Sequence, residues 1–363
     1  MLEQHGYRPA VRVVIIGASG NVGTALLEAL HRESVVTDVV AVARRLPAVE
    51  GQGPSPAVEW RSADISRDDL DQVVVGADVV VHLAWLFHPT HRPSATWDNN
   101  VIGTVRLLAA LERCRVPALI YSSSVGAYSP RTSSDLVDES WPTHGASPAS
   151  YTREKAYIER LLDAFQARVP DCRVVRMRPA FVFHERAASQ QRRLFGGPFV
   201  PGSLVRPSLV PVLPLPSGLL MQAVHANDVG RAFAAGVVSS TSGAFNLCAD
   251  EVLEGKDLAS LFDARPVSIP PKVLRVGLRA AWTAHTVPAP PDLFDALMRL
   301  PMMSNGRAKK DLGWSPQVSA SDALQDLLAG LRRGAGHPTP PLDAEAGGPA
   351  RSEEFGSGVG SVD

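Results

Sequence analysis

Residues 11–23 read VRVVIIGASGNVG, and this stretch decides the fold. Val11–Ile16 is an unbroken apolar run, which is typical of a strand buried on both faces. Three glycines precede a helical pattern: Gly17 permits a tight turn, Gly20 lets the backbone approach a pyrophosphate, and Gly23 lets helix and strand pack closely. Free N–H groups at the start of the helix would face the phosphates. The stretch predicts a dinucleotide-binding turn rather than a plain glycine turn, with further contacts from Ser19, Asn21 and Val22.

Strand and helix patterns alternate through the first half of the chain, which predicts right-handed βαβ units. The predicted fold class is therefore α/β, a Rossmann-type doubly wound parallel sheet with a smaller C-terminal substrate lobe. We expect the dinucleotide-binding domain over 9–180, with a strand returning near 222–247, the lobe mainly over 181–333, and a disordered tail over 334–363. The predicted strands are 11–16, 39–43, 58–61, 78–83, 118–122, 173–177, 222–225 and 244–247, and the predicted helices are 21–32, 97–113, 148–167, 256–261, 274–282 and 320–333.

The composition argues against several function classes. The 363 residues include 36 basic and 37 acidic side chains, so the net charge of −1 gives no field that favours nucleic acid or an anionic membrane. No stretch reaches the roughly 18 uninterrupted apolar residues of a membrane span, and the N-terminal apolar run is too short and too β-branched for a signal peptide. Cys114, Cys172 and Cys248 form no CxxC pair and indicate free thiols. We therefore expect a cytoplasmic protein that acts on a small-molecule substrate.

The ends of the next strands indicate how a cofactor is held. NAD-binding chains usually carry an acid after the second strand, whereas NADP-binding chains use an arginine. Here Arg44 follows that strand, which favours NADP over NAD, although an ordinary solvated arginine fits the position equally well. Asp64, beside Ile65, could accept from the adenine amino group or cap a helix. The small Ala84 after Leu83 would let a cofactor lie against the carboxyl edge of the sheet.

A tyrosine and a lysine lie four residues apart in Tyr151-Thr-Arg-Glu-Lys155, which places both side chains on one face of a predicted helix. A nearby ammonium favours the phenolate, so Tyr151 could exchange a proton with a substrate oxygen near neutral pH. Lys155 could also hold the nicotinamide ribose, and a plain surface pair is the alternative. Ser122, Ser123 and Ser124 follow the fifth strand, where a hydroxyl could bind the same substrate oxygen or belong to a polar turn.

Taken in order, these motifs resemble the extended short-chain dehydrogenase/reductase family, also called the NAD-dependent epimerase/dehydratase family. The matching segments, over residues 11–333, are GASGNVG, the ADI turn, HLAW, DNNVIGT, YSSSVGAY, YTREK, RMRPAFVF, AVHANDV and KKDLGWSP. The resemblance implies that Ser124 is the catalytic serine, Tyr151 the general acid/base and Lys155 its partner. It also implies a cofactor contact at Asn99 and a homodimer built from the helices at 97–113 and 148–167.

The predicted cofactor site draws on many short segments. It comprises Gly17, Ser19, Gly20, Asn21, Val22, Gly23, Arg44, Asp64, Ile65, Leu83, Ala84, Asn99, Ser122, Tyr151, Lys155, Pro179 and Val182. We expect no metal, because His88 and His91 lie in a Pro-rich loop without an obvious third ligand.

Some positions depart from the family's pattern. Val125 and Gly126 stand where sugar-nucleotide 4,6-dehydratases carry an Asp-Glu pair, so acid-assisted loss of water has no support. Met221 and Gln222 stand where UDP-sugar epimerases carry an Arg-Asp pair. The lobe includes a Pro- and Gly-rich stretch over 196–218 without a regular period. Its phenylalanines favour either a less polar substrate or simply a lobe core: Phe181, Phe183, Phe195 and Phe199.

These residues support an NAD(P)-dependent oxidoreductase that transfers a hydride to or from a carbonyl or secondary alcohol. A nucleotide-sugar epimerase with tightly bound NAD is an alternative that uses the same site. A non-catalytic NADP-binding sensor is an alternative of another class, which the presence of both Tyr151 and Lys155 disfavours.

Overall fold

A seven-stranded parallel sheet lies at the centre of the structure, a computed structural model that describes residues 10–47, 57–87, 93–196, 211–284, 286–287 and 290–346. The strands are β1 (Val11–Ile16), β2 (Val36–Ala43), β3 (Ala57–Ser62), β4 (Val79–His82), β5 (Ala118–Ser122), β6 (Leu136–Val137), β7 (Arg173–Pro179), β8 (Phe181–Phe183), β9 (Val212–Pro216), β10 (Leu220–Met221), β11 (Ala223–His225), β12 (Gly243–Leu247), β13 (Leu253–Glu254), β14 (Arg265–Ile269) and β15 (Met302–Met303). The helices are α1 (Asn21–Leu30), α2 (Asp71–Val74), α3 (Pro93–Trp97), α4 (Gly103–Arg113), α5 (Ser150–Arg168), α6 (Ala188–Gln191), α7 (Ala226–Val238), α8 (Gly255–Ser260), α9 (Pro271–Thr283), α10 (Pro291–Leu297), α11 (Gly306–Asp311) and α12 (Ala320–Arg333). Short 3₁₀ turns cover Val125–Ala127 and Glu185–Ala187, and π-helical turns cover Asp98–Ile102 and Arg192–Gly196.

The order of the central sheet places a crevice at its carboxyl edge. The strands lie side by side as β3-β2-β1-β4-β5-β7-β12, and every neighbouring pair is parallel. After β1, the strands β2 and β3 are added toward one edge of the sheet. After β4, the strands β5, β7 and β12 are added toward the opposite edge. Ligands of open α/β sheets bind where this direction reverses. The observed order confirms the predicted doubly wound Rossmann-type sheet.

Alternating side chains of the central strands fill two separate cores. Val13 and Ile15 of β1 pack on the face that carries α1 and α7, whereas Val14 and Ile16 pack on the face that carries α4 and α5. Because both faces are covered, β1 needs no polar side, and this explains its unbroken apolar sequence. Each fully buried aliphatic side chain stabilises the fold by about 1.5–3 kcal/mol relative to exposure.

Short two-stranded pairs build the lobe in the second half of the chain. β8 pairs with β11, β9 with β14 and β6 with β15, each in parallel, while β10 pairs antiparallel with β13. Of the two strands predicted near 222–247, only β12 returns to the central sheet, where it lies beside β7. β11 pairs instead with β8, which directly continues the path of β7 into the lobe.

The Pro- and Gly-rich stretch over 196–218 contains a strand that its composition does not predict. β9 pairs with β14 along one edge, so its prolines at positions 214 and 216 do not interrupt a ladder on the other edge. Residues 197–210, which include Phe199, and residues 88–92, which include His88 and His91, lie outside the described residues.

Residues 334–346 pack against the lobe, although the composition predicts disorder from residue 334 onwards. α12 ends at Gly334, whose left-handed φ of 64° turns the chain back. Leu342 is completely buried, and Arg193 donates to the carbonyl oxygens of Pro341 (3.0 Å) and Asp343 (2.9 Å). One buried leucine and one arginine thus fix a segment that is otherwise poor in apolar side chains. Residues 347–363 lie outside the described part of the chain.

The cysteines are unpaired thiols, as the sequence predicts. Cys172 and Cys248 are buried, and burial raises the pKa of Cys172 to about 11 and the pKa of Cys248 to about 12. Both thiols are therefore protonated and unreactive at neutral pH. Within the described ranges, no helix is long and apolar enough to cross a bilayer.

Candidate active site

A cavity of about 660 Å³ opens at the carboxyl edge of the sheet, where the strand order reverses. This volume lies within the range of roughly 300–1,000 Å³ that is usual for small-molecule sites. The glycine turn after β1 forms one wall, and the turn after β5 together with α5 forms the opposite wall. The predicted site residues that line it are Gly17, Gly20, Asn21, Val22, Gly23, Arg44, Leu83, Ser122, Ser124, Tyr151, Lys155, Pro179 and Val182.

The hydroxyl of Tyr151 donates to Oγ of Ser124 at 2.8 Å inside this cavity. The backbone N–H of Gly126 donates to the same oxygen at 3.0 Å. Because Oγ already accepts twice, the hydrogen of Ser124 itself stays available for a substrate oxygen. Gly126 must lack a side chain here, since an added Cβ would lie 2.7 Å from Cε1 of Tyr151. The phenol and the serine hydroxyl can therefore both donate hydrogen bonds to one substrate oxygen.

A buried carboxylate holds α5 against the sheet and so positions Tyr151. Glu159 is completely buried and accepts from Ser123 Oγ (2.6 Å) and from Arg178 Nε (2.9 Å). Arg176 also donates to Glu159, at 3.0 Å. Burial by itself raises the pKa of Glu159, but the hydrogen bonds and charges of Arg178, Ser123 and Arg176 lower it to about 2. The carboxylate is thus ionised at neutral pH and ties α5 to β5 and β7.

The ammonium of Lys155 does not point at the phenol in this structure. Its Nζ donates to the carbonyl oxygen of Ser122 at 2.8 Å and lies 3.5 Å above the centre of the Trp85 ring. Burial lowers the pKa of Lys155 to about 7, against the opposing effect of Glu159 and Glu154. Near neutral pH the charged and neutral forms of Lys155 are therefore both populated.

Burial also determines the pKa of Tyr151, whose ring packs edge-on against two aromatic rings. The desolvation of the phenol raises the pKa of Tyr151 to about 12, although the hydrogen bond to Ser124 acts in the opposite direction. The expectation that Lys155 lowers this pKa is wrong, because Nζ of Lys155 bonds to the Ser122 carbonyl and the burial of the phenol dominates. Tyr151 is a neutral phenol at neutral pH, which makes it a proton donor.

The glycine turn has the shape that a bound pyrophosphate requires. Gly17 has a φ of 93°, and an added Cβ would lie 2.6 Å from the backbone nitrogen of Ala84. An added Cβ on Gly23 would lie 2.5 Å from the carbonyl oxygen of Ala18. α1 begins at Asn21 without a side-chain cap, and its first residues, Asn21, Val22 and Gly23, line the cavity. These features fit a dinucleotide. Gly20 and the start of α1 would hold its phosphates.

Asp64, Ile65 and Ser19 are predicted cofactor contacts that lie outside the lining of this cavity. Asp64 accepts from the backbone N–H (2.8 Å) and the hydroxyl (2.6 Å) of Ser66. Burial alone would raise the pKa of Asp64, but these hydrogen bonds and nearby Arg44 lower it. The side chain of Ile65 packs against the backbone of helix α4, and Ser19 is buried within the turn.

Asn99 and Ala84 also lie outside the cavity lining. Asn99 donates to Oδ1 of Asn100 at 3.0 Å, and Asn100 in turn bonds both backbone groups of Leu86. Asn100 therefore fixes the segment after β4, a role that the sequence analysis missed. Ala84 contributes its backbone, which packs against Gly17.

An aromatic wall beside Tyr151 is a further feature that the sequence motifs did not predict. Phe87 and Trp85 stand edge-on to Tyr151, with ring centres at 4.9 and 5.8 Å, and Phe195 lies 5.4 Å from Phe87. Trp85 and Phe87 follow β4 at the carboxyl edge of the sheet, and this position is the sequence feature that could have predicted their role. The lining further includes side chains with no such signal: Arg45, Gln191, Arg193, Pro340 and Pro341.

Two histidines and a carboxylate meet away from this cavity. In the described part of the chain, His184, His225 and Asp326 form a group with the spacing of metal ligands. Nδ1 of His225 accepts from the backbone of Asn227 at 3.2 Å, so Nε2 carries the proton and faces Asp326 at 3.3 Å. Both ring nitrogens of His184 face N–H groups of Arg186. A neutral imidazole can accept at only one of these nitrogens. Asp326 lies on α12, so its contact with His225 joins the lobe to that helix.

The comparisons with known proteins agree with this geometry. The sequence pattern of the NAD dependent epimerase/dehydratase family matches residues 13–242. The chain belongs to this family. The resemblance drawn from the ordered motifs is thereby confirmed, and the matched region contains the glycine turn, the serines after β5 and the Tyr151–Lys155 pair.

Family members with different activities resemble the chain. The UDP-glucose 4-epimerase of Yersinia pestis is 30% identical over 172 residues, which are 44% of this chain and 49% of that protein. The decarboxylating sterol-4-alpha-carboxylate 3-dehydrogenase of Candida albicans is 30% identical over 181 residues, which are 47% and 50% of the two chains. The chain spans about half the length of the curated relatives it matches.

A solved structure shows the same fold over almost the whole described chain. The UDP-glucose 4-epimerase of Thermus thermophilus, in complex with NAD, aligns with a TM-score of 0.66 at 19% identity. The alignment covers 89% of this chain and 99% of that one. At this identity the likeness shows the fold alone, and the solved relative binds NAD.

The low pKa of Lys155 predicts a pH dependence of stability. Between about pH 7 and the ordinary lysine pKa of 10.5, the unfolded side chain still binds a proton that the folded one has released. Raising the pH across this window therefore favours the folded state. We expect the cofactor-free wild-type protein to gain about 1–3 kcal/mol of unfolding free energy relative to Lys155→Met between about pH 6 and about pH 9.5. Urea unfolding at both pH values measures this difference.

The matched control is Lys272→Met, which removes an exposed lysine of α9 and should follow the wild type. If Lys155→Met and the wild type gain the same free energy across this window, Lys155 is not desolvated as described.

Proposed function

We propose that this protein is an NAD(P)-dependent oxidoreductase that interconverts a carbonyl and a secondary alcohol. The observation that carries the proposal is the 2.8 Å hydrogen bond between Tyr151 and Ser124 in the cavity beside the glycine turn. A proton donor and an oxygen-positioning hydroxyl next to a dinucleotide cradle are the groups that such a reaction requires.

The residues of the chain supply positioning and a proton. Ser124 donates its free hydrogen to the substrate oxygen, and Tyr151 shifts its own hydrogen bond from Ser124 to the same oxygen. A reduced nicotinamide, when bound, supplies the hydride that the carbonyl carbon receives. Tyr151 then transfers its proton to the oxygen, and the phenolate regains a proton from solvent. The neutral state of Tyr151 at neutral pH supports the reductive direction.

The decisive variant is Tyr151→Phe, which keeps the ring and removes the transferable proton. We expect turnover of ketones to fall by about 10²–10⁴-fold while the affinity for the cofactor is unchanged. Steady-state rates on a panel of ketones and secondary alcohols, with calorimetric titration of the cofactor, measure both quantities.

Tyr157→Phe is the matched control, because Tyr157 lies on the same helix, is 45% exposed and does not line the cavity. It should retain wild-type turnover. Full activity of Tyr151→Phe on a ketone that the wild-type protein reduces would show that the reaction does not use this phenol.

NADP is the cofactor that we propose within this class. Arg44 is exposed and lines the cavity just after β2, where it can reach a 2′-phosphate. The acid nearest in sequence within β2, Asp38, lies earlier in the strand and is paired with Arg12 at 2.7 Å. An arginine at the end of β2, where NAD-binding chains usually carry an acid, supports recognition of a phosphate rather than of free ribose hydroxyls.

For Arg44→Ala, we expect the affinity for NADP to fall about 10-fold or more, because a charge-assisted hydrogen bond is lost. The affinity for NAD should change much less. Calorimetric titration with both cofactors tests this, and Arg265→Ala, which removes an exposed arginine of β14, is the control. An unchanged ratio of NADP to NAD affinity in Arg44→Ala would assign the cofactor choice to other residues.

A nucleotide-sugar epimerase is the second candidate, supported by the activity of the Yersinia pestis relative. That reaction needs no added reductant, since the cofactor is restored in each cycle. Turnover of UDP-glucose by the purified protein without added NADPH would favour it, whereas strict dependence on NADPH would favour the reductase. The 3-dehydrogenase activity of the Candida albicans relative supports the proposed oxidoreductase.

We further propose a homodimer built from α3, α4 and α5. Exposed apolar side chains lie along these helices and the π-helical turn between α3 and α4, and they are Trp97 (37% exposed), Ile102 (43%), Val105 (41%) and Tyr157 (45%). Such a cluster on a monomer surface is typical of a contact with another protein. Trp97 and Tyr157 lie 5.1 Å apart between ring centres, so the helices present one continuous surface.

Val105→Glu should convert the dimer to a monomer, because it places an unpaired charge in the interface. Size-exclusion chromatography with light scattering gives the mass of each variant. Val276→Glu is the control, since Val276 is 69% exposed on α9 and outside the proposed interface. A monomeric wild type, or a dimer that survives in Val105→Glu, would contradict the proposed surface.

A further inference from the structure

The segment over residues 335–346, here called the strap, forms part of the wall of the proposed cofactor cavity. Pro340, Pro341 and Ala346 line this cavity together with the glycine turn and Arg44. The family pattern matches residues 13–242, so the strap lies beyond the matched region and has no role assigned by it. A segment from the far end of the described chain thus meets the predicted dinucleotide cradle in one cavity.

Two residues attach the strap to the protein from outside the cavity. The hydroxyl of Ser189, on α6, donates to the carbonyl oxygen of Ala335 at 2.7 Å, and the backbone N–H of Ser189 donates to the same oxygen at 3.3 Å. The side chain of Leu342 is completely buried. Neither Ser189 nor Leu342 lines the cavity. Substitution of either residue can therefore reach a ligand of the cavity only through the position of the strap.

A third attachment lies at the cavity itself. Arg193, in the π-helical turn after α6, donates to the carbonyl oxygens of Pro341 at 3.0 Å and of Asp343 at 2.9 Å. Arg193 also lines the cavity. These two bonds therefore fix the strap at the point where it contributes to the cavity wall.

The strap has a defined conformation of its own. The backbone N–H of His337 donates to the carbonyl oxygen of Leu342 at 2.9 Å, and the N–H of Leu342 donates to the carbonyl oxygen of Thr339 at 3.0 Å. Gly336 must lack a side chain, since an added Cβ would lie 2.6 Å from the carbonyl oxygen of Leu342. Terminal segments are poorly ordered unless contacts tie them down. Here the contacts form a closed loop beside the cavity.

The strength of these attachments allows the strap to detach while the sheet stays folded. One buried leucine and a few hydrogen bonds hold the strap, whereas two continuous cores hold the central sheet. Segments with few buried apolar contacts open locally at a lower free energy than the core. A dinucleotide on the glycine turn would lie in the cavity that the strap helps to enclose. Contact with such a ligand would stabilise the attached strap, and the attached strap would equally stabilise the ligand.

We propose that the strap retains the bound dinucleotide cofactor and must detach before the cofactor leaves. The inference rests on the proposed cofactor site and adds the strap to that site. Pro340 and Pro341 supply rigid apolar surface to the cavity wall, and Leu342 and Ser189 hold that surface in place.

Hydrogen–deuterium exchange of the full-length protein tests the contact without turnover. Saturating NADP or NAD should slow exchange of the amides in the strap by about 5-fold or more, because ligand and strap stabilise each other. The glycine turn should be protected by the same cofactor and serves as the positive reference. Helix α8 does not line the cavity and should exchange at an unchanged rate.

The rate of cofactor release tests the retention. Stopped-flow fluorescence follows the dissociation of NADPH, or of NADH, with an excess of the oxidised cofactor as a trap. Leu342→Ala should raise the dissociation rate constant about 10-fold or more, since it removes the buried anchor. Ser189→Ala removes one hydrogen bond and should raise the rate constant about 5-fold. Leu258→Ala is the matched control, because Leu258 is a buried leucine of α8 that does not line the cavity.

Protection of the glycine turn without protection of the strap would overturn the inference. Release from Leu342→Ala and Ser189→Ala at the rate of Leu258→Ala would overturn it as well. Failure of the proposed reaction gives a different result: no ketone is reduced, while cofactor release still depends on Leu342 and Ser189. If neither cofactor protects the glycine turn, the cofactor site and the strap's role in it are both refuted.

Discussion

The buried carboxylate of Glu159 is the constraint on which the proposed active site depends. It joins α5, which carries Tyr151, to Ser123 next to the proposed catalytic serine and to Arg178 on β7. Removing one partner of such a network leaves an uncompensated buried charge, at a cost of about 3–5 kcal/mol. Because the pKa of Glu159 is lowered to about 2, its stabilising contribution is complete above the ordinary value of 4.5 and is lost only as the pH falls toward 2. At neutral pH the network holds the phenol of Tyr151 within hydrogen-bond distance of Ser124.

Desolvation sets the protonation states of Tyr151 and Lys155, the two side chains of α5 that line the cavity. The same burial that raises the pKa of Tyr151 lowers the pKa of Lys155, since each shift disfavours the charged form. The two side chains are close in sequence but do not bond to each other, because Nζ of Lys155 is held by the Ser122 carbonyl and the Trp85 ring. A neutral phenol and a lysine that titrates near neutral pH are suited to giving a proton to a substrate oxygen and accepting a replacement from solvent.

Local pattern predicted the parts of the protein whose structure depends on near neighbours. β1, the glycine turn and α12 have apolar periods and end signals that need no distant partner, and their predicted starts match the structure. The tail over 334–346 could not be predicted, because Leu342 and Arg193 fix it from positions far apart in the chain. Likewise, the aromatic wall of Phe87 and Trp85 arises only when the segment after β4 meets α5.

One position of the lobe has a structural role here that differs from its role in UDP-sugar epimerases. This difference concerns how a substrate is recognised. At the site of the epimerase Arg-Asp pair, Gln222 is buried and bonds both backbone groups of Met303, at 2.9 and 2.6 Å. One N–H and the carbonyl oxygen of this buried amide thus fasten β15 to the lobe. Gln222 does not line the cavity, so polar recognition of a substrate must come from other side chains.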